Sequence, residues 1–137
     1  MTRQASDAAT TATGAPLGRT SDVLAISIRQ PWAHLILTAG KDIENRSWPT
    51  QQRGRVLIHA GRTTVEDPET IRRLGLPLGG IVGSVEIADC VSASDSRWWS
   101  GPWGWVLRDP RPLQFTPCTG RLGFFRPDLP PGTVLEG

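Results

Sequence analysis

At 137 residues the chain has room for one domain with a small core and a tail, and its hydrophobic content of 38% is low. Its net charge of +2 falls to +1 without residues 1–21, which carry Arg3, Arg19 and Asp7, and that balance excludes a protein that grips a long duplex through many phosphates. No apolar run reaches membrane-spanning length and no secretory signal opens the chain, so a cytoplasmic protein without a membrane partner is expected.

Residues 1–21 are polar and low in complexity, with too few apolar groups to offset the cost of ordering a backbone. We read them as a disordered tail and residues 22–137 as the folded domain. Val23 to Ile28 alternates in the manner of a half-buried strand, with Leu24, Ile26 and Ile28 facing the core. Pro31 suits the first turn of a helix, and Trp32, Leu35, Ile36 and Ala39 share one helical face. Gly40 then suits a left-handed C-cap, so the helix spans 31–39. Lys41 follows it directly, where the helix dipole favours a cation.

Residues 42–48 read as a strand with Glu44, Arg46 and Trp48 on one face and Ile43, Asn45 and Ser47 on the other. Arg55 to Ala60 is a further strand. Asp67, Pro68 and Gly75 mark the cap, first residue and stop of a second short helix. Ile81 to Val91 is the clearest strand, with Ile81, Val85, Ile87 and Val91 on one face and Glu86 among small residues on the other, as on the floor of a groove. A serine-rich loop over 92–102 carries Trp98 and Trp99. Trp103 to Leu107 is a strand, Asp109-Pro110-Arg111-Pro112 is expected to lie outside any sheet because proline lacks the donor, and Gly120 to Phe125 is the last strand. About six strands and two short helices predict an α+β fold, a small mixed β-barrel with helices at its ends.

Four residue types that carry chemistry fall within a few positions: an ammonium at Lys41, a carboxylate at Glu44, a guanidinium at Arg46 and an indole at Trp48. A surface ion-pair cluster is the plain alternative and would contribute little. Lys41 is the only lysine, the remaining basic residues being arginine; its pKa can be tuned and it acts as a compact point charge. His59 is either a satisfied structural residue or a pocket residue. Trp32 and Trp105 are assigned to the core, while Trp98, Trp99 and Trp103, with Arg97 nearby, either stack a base or plug a barrel end. Cys90 and Cys118 read as buried free thiols, and with His34 and His59 they match no metal-ligand spacing, so neither metal nor cofactor is expected. Glu44 and Glu86 are two carboxylates of unknown separation, and no nucleophile motif, P-loop or dinucleotide fingerprint is present.

The segments Ile26-Ser27-Ile28-Arg29-Gln30-Pro31-Trp32-Ala33, Gly40-Lys41-x-x-Glu44-x-Arg46-Ser47-Trp48 and Arg53-Gly54-x-x-x-Ile58-His59-Ala60, in that order and spacing, closely resemble the ASCH domain family. Gly79-Gly80-Ile81-Val82-Gly83-x-Val85 and Gly101-Pro102-Trp103-Gly104-Trp105-Val106 look like its bacterial and phage members. The resemblance implies a PUA-like β-barrel and a cleft lined by Gly40, Lys41, Glu44 and Arg46 that binds RNA or DNA. One enzymatic branch hydrolyses N4-acetylcytidine with a lysine, a threonine three residues later and a downstream glutamate, and other members are described as ribonucleases. Here Glu44 stands in place of that threonine, so the resemblance favours binding over catalysis.

The expectation is therefore a nucleic-acid-binding module, RNA before DNA, holding a single-stranded or flipped nucleotide. Lys41 and Arg46 would contact phosphate or base acceptors and Glu44 an exocyclic amine. Arg29, Gln30, Arg53, Arg55 and His59 would line the approach, and Trp48 or Trp103 would stack. No catalytic residue is assigned. The alternative is a metal-independent hydrolase of a modified nucleoside or of RNA, with Lys41, Glu44 and Glu86 as its candidates. A protein partner docking on Trp98 and Trp99 is a third reading.

Overall fold

The computed structural model describes residues 23–130 and 132–136; the expected tail over 1–21 and the start of the domain at Asp22 lie outside them. Eight elements follow in chain order: β1 (Ala25–Ile28), α1 (Trp32–Thr38), β2 (Ile43–Arg46), β3 (Gly54–Ala60), α2 (Pro68–Leu74), β4 (Gly80–Val91), β5 (Trp103–Pro117) and β6 (Phe124–Phe125). The strands form one mixed sheet in the order β2-β5-β4-β3-β1-β6, curled into a half-barrel. Only β1 and β3 run parallel, which requires the crossover that α1 and β2 supply. This is the expected small α+β, PUA-like architecture.

Both helices end where their punctuation says. Gly40 and Gly75 take positive φ of 74° and 70°, the left-handed stop that costs glycine nothing. Asp67 caps α2 by accepting from the Thr70 amide at 3.0 Å.

The main core joins Ile26 and Ile28 of β1, Ala33 and Ile36 of α1, Val56 and Ile58 of β3, Val82, Val85 and Ile87 of β4, and Trp105 and Leu107 of β5. A second cluster on the reverse face holds Ala25, Leu57, Ile81, Phe125 and Leu135. β1 and β3 are thus covered on both sides, which explains the uninterrupted Val56-Leu57-Ile58 run. This corrects the half-buried reading of the first strand: Ala25 is as buried as Ile26, and Leu24 is half-exposed.

Five further expectations change. The buried face of α1 is Ala33 and Ile36, with Leu37 alongside, so Trp32 is 37% exposed and is not a core residue. Gly83 explains the rotation: a Cβ there would lie 2.5 Å from Leu37, so α1 settles Leu37 directly onto the strand. On β4, Ile81 faces the second cluster while Val82, Val85 and Ile87 face the first, because the ladder to β5 shifts register three times. Each bulge adds a residue and reverses which face the next side chain meets.

β5 runs straight through Asp109-Pro110-Arg111-Pro112. The chain bulges there, with Asp109 at φ 53°, and β2 pairs only with Trp103 to Val106, so the far edge beyond needs no donors. β6 is only Phe124–Phe125; Gly120 to Gly123 is a loop. Cys90 and Cys118 are free and half-buried, where full burial was expected.

Candidate functional site

Alternation along β2 places Glu44 and Arg46 on the inner face. Glu44 is 6% exposed and its Oε2 accepts from Arg46 Nε at 2.9 Å. Arg46 also donates through Nη2 to the Ser27 carbonyl at 2.8 Å, and its guanidinium lies over the Trp105 ring, 5.2 Å from the centroid. Trp105 donates through Nε1 to the Trp48 carbonyl at 3.3 Å and meets the Trp48 ring edge-on at 4.8 Å. Arg46 is therefore fixed from three sides, by a carboxylate, a carbonyl and an indole.

Lys41 is 5% exposed. Its ammonium donates to the Ile43 carbonyl and sits over the rings of Trp32 and Trp98, 5.2 and 5.7 Å from their centroids. Burial holds this amine below the ordinary lysine range, against the pull of Glu44 and Asp42. Burial likewise raises Glu44 above the carboxylate range, against Arg46 and Lys41.

The outer face of β2 serves the serine-rich loop. Asn45 donates to the Trp98 carbonyl at 3.0 Å and accepts from the Ser100 and Gly101 amides at 2.8 and 3.0 Å. Asp42 accepts from Ser96 Oγ at 2.6 Å. The loop that carries Trp98 is thereby fastened over Lys41.

The raised Glu44 sets a pH dependence. An acid whose folded pKa lies above its unfolded value makes the native state bind the extra proton, so its contribution grows as pH falls to the unfolded value and levels off below it. Wild-type stability relative to Glu44→Gln should therefore rise from pH 7 towards about 4.5. Urea unfolding of both proteins across that range measures it; parallel stability curves would refute the assignment.

A cleft of about 770 Å³ opens beyond the carboxyl ends of the parallel pair β1 and β3, where chain ends of this kind commonly hold ligands. Ser27, Arg29, Arg46, His59, Arg62 and Arg121 are among its polar lining, and among the described residues no carboxylate lines it. Among the described residues no acidic side chain pairs with Arg29, Arg62 or Arg121. Four guanidiniums around one concavity make a focused positive potential on a chain that is nearly neutral.

His59, 2% exposed, forms part of the floor. Its Nε2 meets the Cys118 carbonyl at 2.8 Å and its Nδ1 meets Ser27 Oγ at 2.9 Å. The 119–123 loop forms one rim and carries Leu122, which is 99% exposed.

Of the residues expected from the sequence, Arg29, Arg46 and His59 meet at this cleft, and Glu44 stands behind Arg46. Trp48 is half-exposed against Trp105 and Phe124. Lys41 lines a separate recess of about 60 Å³ with Gly40 and Asp42. Gln30 is buried and spent on the Pro77 carbonyl and the His34 amide. Arg53 bonds the carbonyls of its own loop and approaches Asp89 at 3.6 Å.

Arg55 pairs with Asp109 and Ser84, and Trp103 pairs in register with Arg46 without lining the cleft. Glu86 forms a surface ion pair with Arg108 at 2.9 Å. It therefore occupies no groove floor, and the structure does not bring it to Lys41 and Glu44. Trp98 stacks under Arg97 at 4.5 Å, and Trp99 packs on Gly104, where a Cβ would lie 2.5 Å from the ring.

Ser27, Arg62, Arg121 and Leu122 were missed. The available signals were an arginine directly after a strand-ending glycine, at Gly61-Arg62, and a basic-apolar pair between two glycines, at Gly120-Arg121-Leu122-Gly123. Among the described residues, no three His, Cys, Asp or Glu side chains gather as a metal site, and no helix is long and apolar enough to cross a membrane.

Comparison with known proteins gives one family. The model of the ASCH domain matches residues 26–112, which holds β1 to β4 and the first part of β5. Activating signal cointegrator 1 of Homo sapiens is 31% identical over 83 aligned positions, covering 49% of this chain and 14% of that protein. Its counterpart in Mus musculus is 33% identical over 82, with the same coverage. The chain thus spans about 14% of the length of the curated relatives it matches.

Proposed function

This chain belongs to the ASCH domain family, and from that premise we propose that it is a nucleic-acid-binding module, with RNA preferred over DNA, that holds a single-stranded or flipped nucleotide in its arginine-lined cleft. The observation that carries the reading is the convergence of Arg29, Arg46, Arg62 and Arg121 on one concavity, with no carboxylate among the described residues that line it. The volume of about 770 Å³ suits a nucleotide-sized ligand, within the range of about 300–1,000 Å³ usual for small-ligand pockets. With so small a net charge, affinity must come from this local field and not from a broad basic surface.

In this reading the guanidiniums take phosphate oxygens, Arg46 being the one whose position is fixed in advance. Leu122 offers apolar contact to a base at the rim, and Trp48, exposed beside Trp105 and Phe124, offers a stacking face. Lys41 and Glu44 act behind the wall: Glu44 orients Arg46, and Lys41 acts on Glu44 through its charge. Residues 22–137 are taken as the functional unit. The free cysteines fit a reducing compartment such as the cytoplasm. The hydrolase alternative built on Lys41, Glu44 and Glu86 gains no support, since Glu86 is committed to Arg108 and Glu44 to Arg46.

Titrations of short single-stranded RNA and DNA oligomers over a salt series test the proposal. Binding should weaken linearly on a log–log plot, and Arg62→Ala or Arg121→Ala should each reduce the slope by about 0.7, the value of one phosphate contact on a single strand. Absence of binding to every oligomer at low salt would sink it.

A further inference from the structure

The His59–Ser27 pair has a fixed direction. A carbonyl only accepts, so His59 Nε2, 2.8 Å from the Cys118 oxygen, carries the hydrogen. In the neutral ring Nδ1 is then an acceptor, and the Ser27 hydroxyl 2.9 Å away donates to it. Ser27 and His59 are register partners on the parallel strands β1 and β3, so the backbone holds them together. Gly120 closes over the pair: a Cβ there would lie 2.5 Å from His59 Cε1 and 2.7 Å from Ser27 Oγ.

With its proton committed, Ser27 Oγ presents only lone pairs to the cleft. Its surroundings are mainly donors, the guanidiniums of Arg29, Arg46, Arg62 and Arg121. Three nearby carbonyls each accept one hydrogen bond already: Ser27 O from Arg46, Cys118 O from His59, and Gly79 O from the Cys118 amide. Thr63 and Thr119 also line the space, but among the described residues no such pairing with a register partner orients their hydroxyls. A ligand whose phosphate is held by the arginines therefore meets an oriented acceptor at Ser27 Oγ and gains by bringing a donor to it.

We infer that Ser27 is the specificity-determining residue of the cleft and that it accepts a hydrogen bond from a ribose 2′-hydroxyl, selecting RNA over DNA; this rests on the nucleic-acid reading given above. The sugar hydroxyl lies a short reach from the phosphate of the same nucleotide, and deoxyribose has no donor at that position.

The test measures anisotropy of labelled oligo-U, oligo-dU, oligo-A and oligo-dA with wild type and Ser27→Ala at one salt concentration. Wild type should prefer ribose in both base series by roughly three- to tenfold, the worth of one neutral hydrogen bond. Ser27→Ala should lose that preference by weakening the ribo-oligomers alone. On the wild-type protein, 2′-fluoro oligo-U should bind like oligo-dU, which removes the donor without altering the fold. Equal weakening of ribose and deoxyribose by Ser27→Ala overturns the inference and leaves the nucleic-acid reading standing. A loss confined to the adenine series, whose exocyclic amine uracil lacks, overturns the ribose assignment. Binding of no oligomer by wild type overturns the nucleic-acid reading itself.

Discussion

Replacing Arg46 by alanine is expected to cost about 3–5 kcal/mol of folding stability, the usual penalty for removing one member of a buried ion pair. Glu44 is 6% exposed and takes its ion pair from Arg46 Nε; without it the carboxylate is left desolvated. The Ser27 carbonyl and the upper face of Trp105 lose a partner in the same step. The unpaired acid relieves itself by taking up a proton, so the deficit should shrink as pH falls into the carboxylate range. Arg46→Ala with Glu44→Gln should recover most of the loss, because the remaining group is neutral. Chemical denaturation of the wild type, both single variants and the double variant measures the coupling. Independent, additive losses would show that the pair is not the unit the geometry makes it. Oligomer binding should stay weak in the double variant even where stability returns, since the cleft then lacks one of its guanidiniums.

Residues whose meaning is local were legible in the sequence. Gly40, Pro68 and Gly75 act through their own backbone and Asp67 through a local side-chain cap; α2 keeps the limits they mark, while α1, expected over 31–39, spans Trp32–Thr38. Glu44 and Arg46 were placed on one face because a four-residue strand leaves no room for a bulge, and the period of two survives. On β4 the same rule failed. Ile81 and Val85 were assigned one face and lie on two, since the register shifts against β5 depend on a partner strand that no local pattern encodes.

The site was half legible for a related reason. Arg29 and His59 fall at the ends of β1 and β3, so a strand assignment alone sends them towards the same edge. Arg62 and Arg121 reach the cleft only because the parallel pair and β6 close around it, and those pairings join residues far apart in the chain, such as Ala25 with Leu57 and Ala25 with Phe125. Lys41, picked out as the only lysine, lies outside the cleft lining, buried with its ammonium over the rings of Trp32 and Trp98. Glu86 resembled a groove carboxylate because its neighbours are small, yet small neighbours equally suit an outward face beside long arginines.

Trp105→Ala should be the other severe substitution, at about 3–5 kcal/mol for truncating a fully buried indole. Trp105 is 1% exposed and its ring stacks on Phe124, with centroids 5.3 Å apart and planes 11° from parallel. It also carries Arg46 on its face and Trp48 on its edge. Phe124 belongs to β6, the two-residue strand that holds the 119–123 rim through Ala25 and Ile26. Truncation thus empties the core and loosens two parts of the cleft together, the Arg46 guanidinium and the loop bearing Arg121. Trp105→Phe keeps an aromatic stack but removes the Nε1 hydrogen bond to the Trp48 carbonyl, so it should lose much less, about 1 kcal/mol for that bond plus the smaller ring. Thermal unfolding orders the two variants. Amide exchange separates core from rim, with protection at 119–125 falling in Trp105→Ala more than at α2. Uniform loss of protection across both segments would mean that Trp105 supports the fold as a whole and has no special hold on the rim.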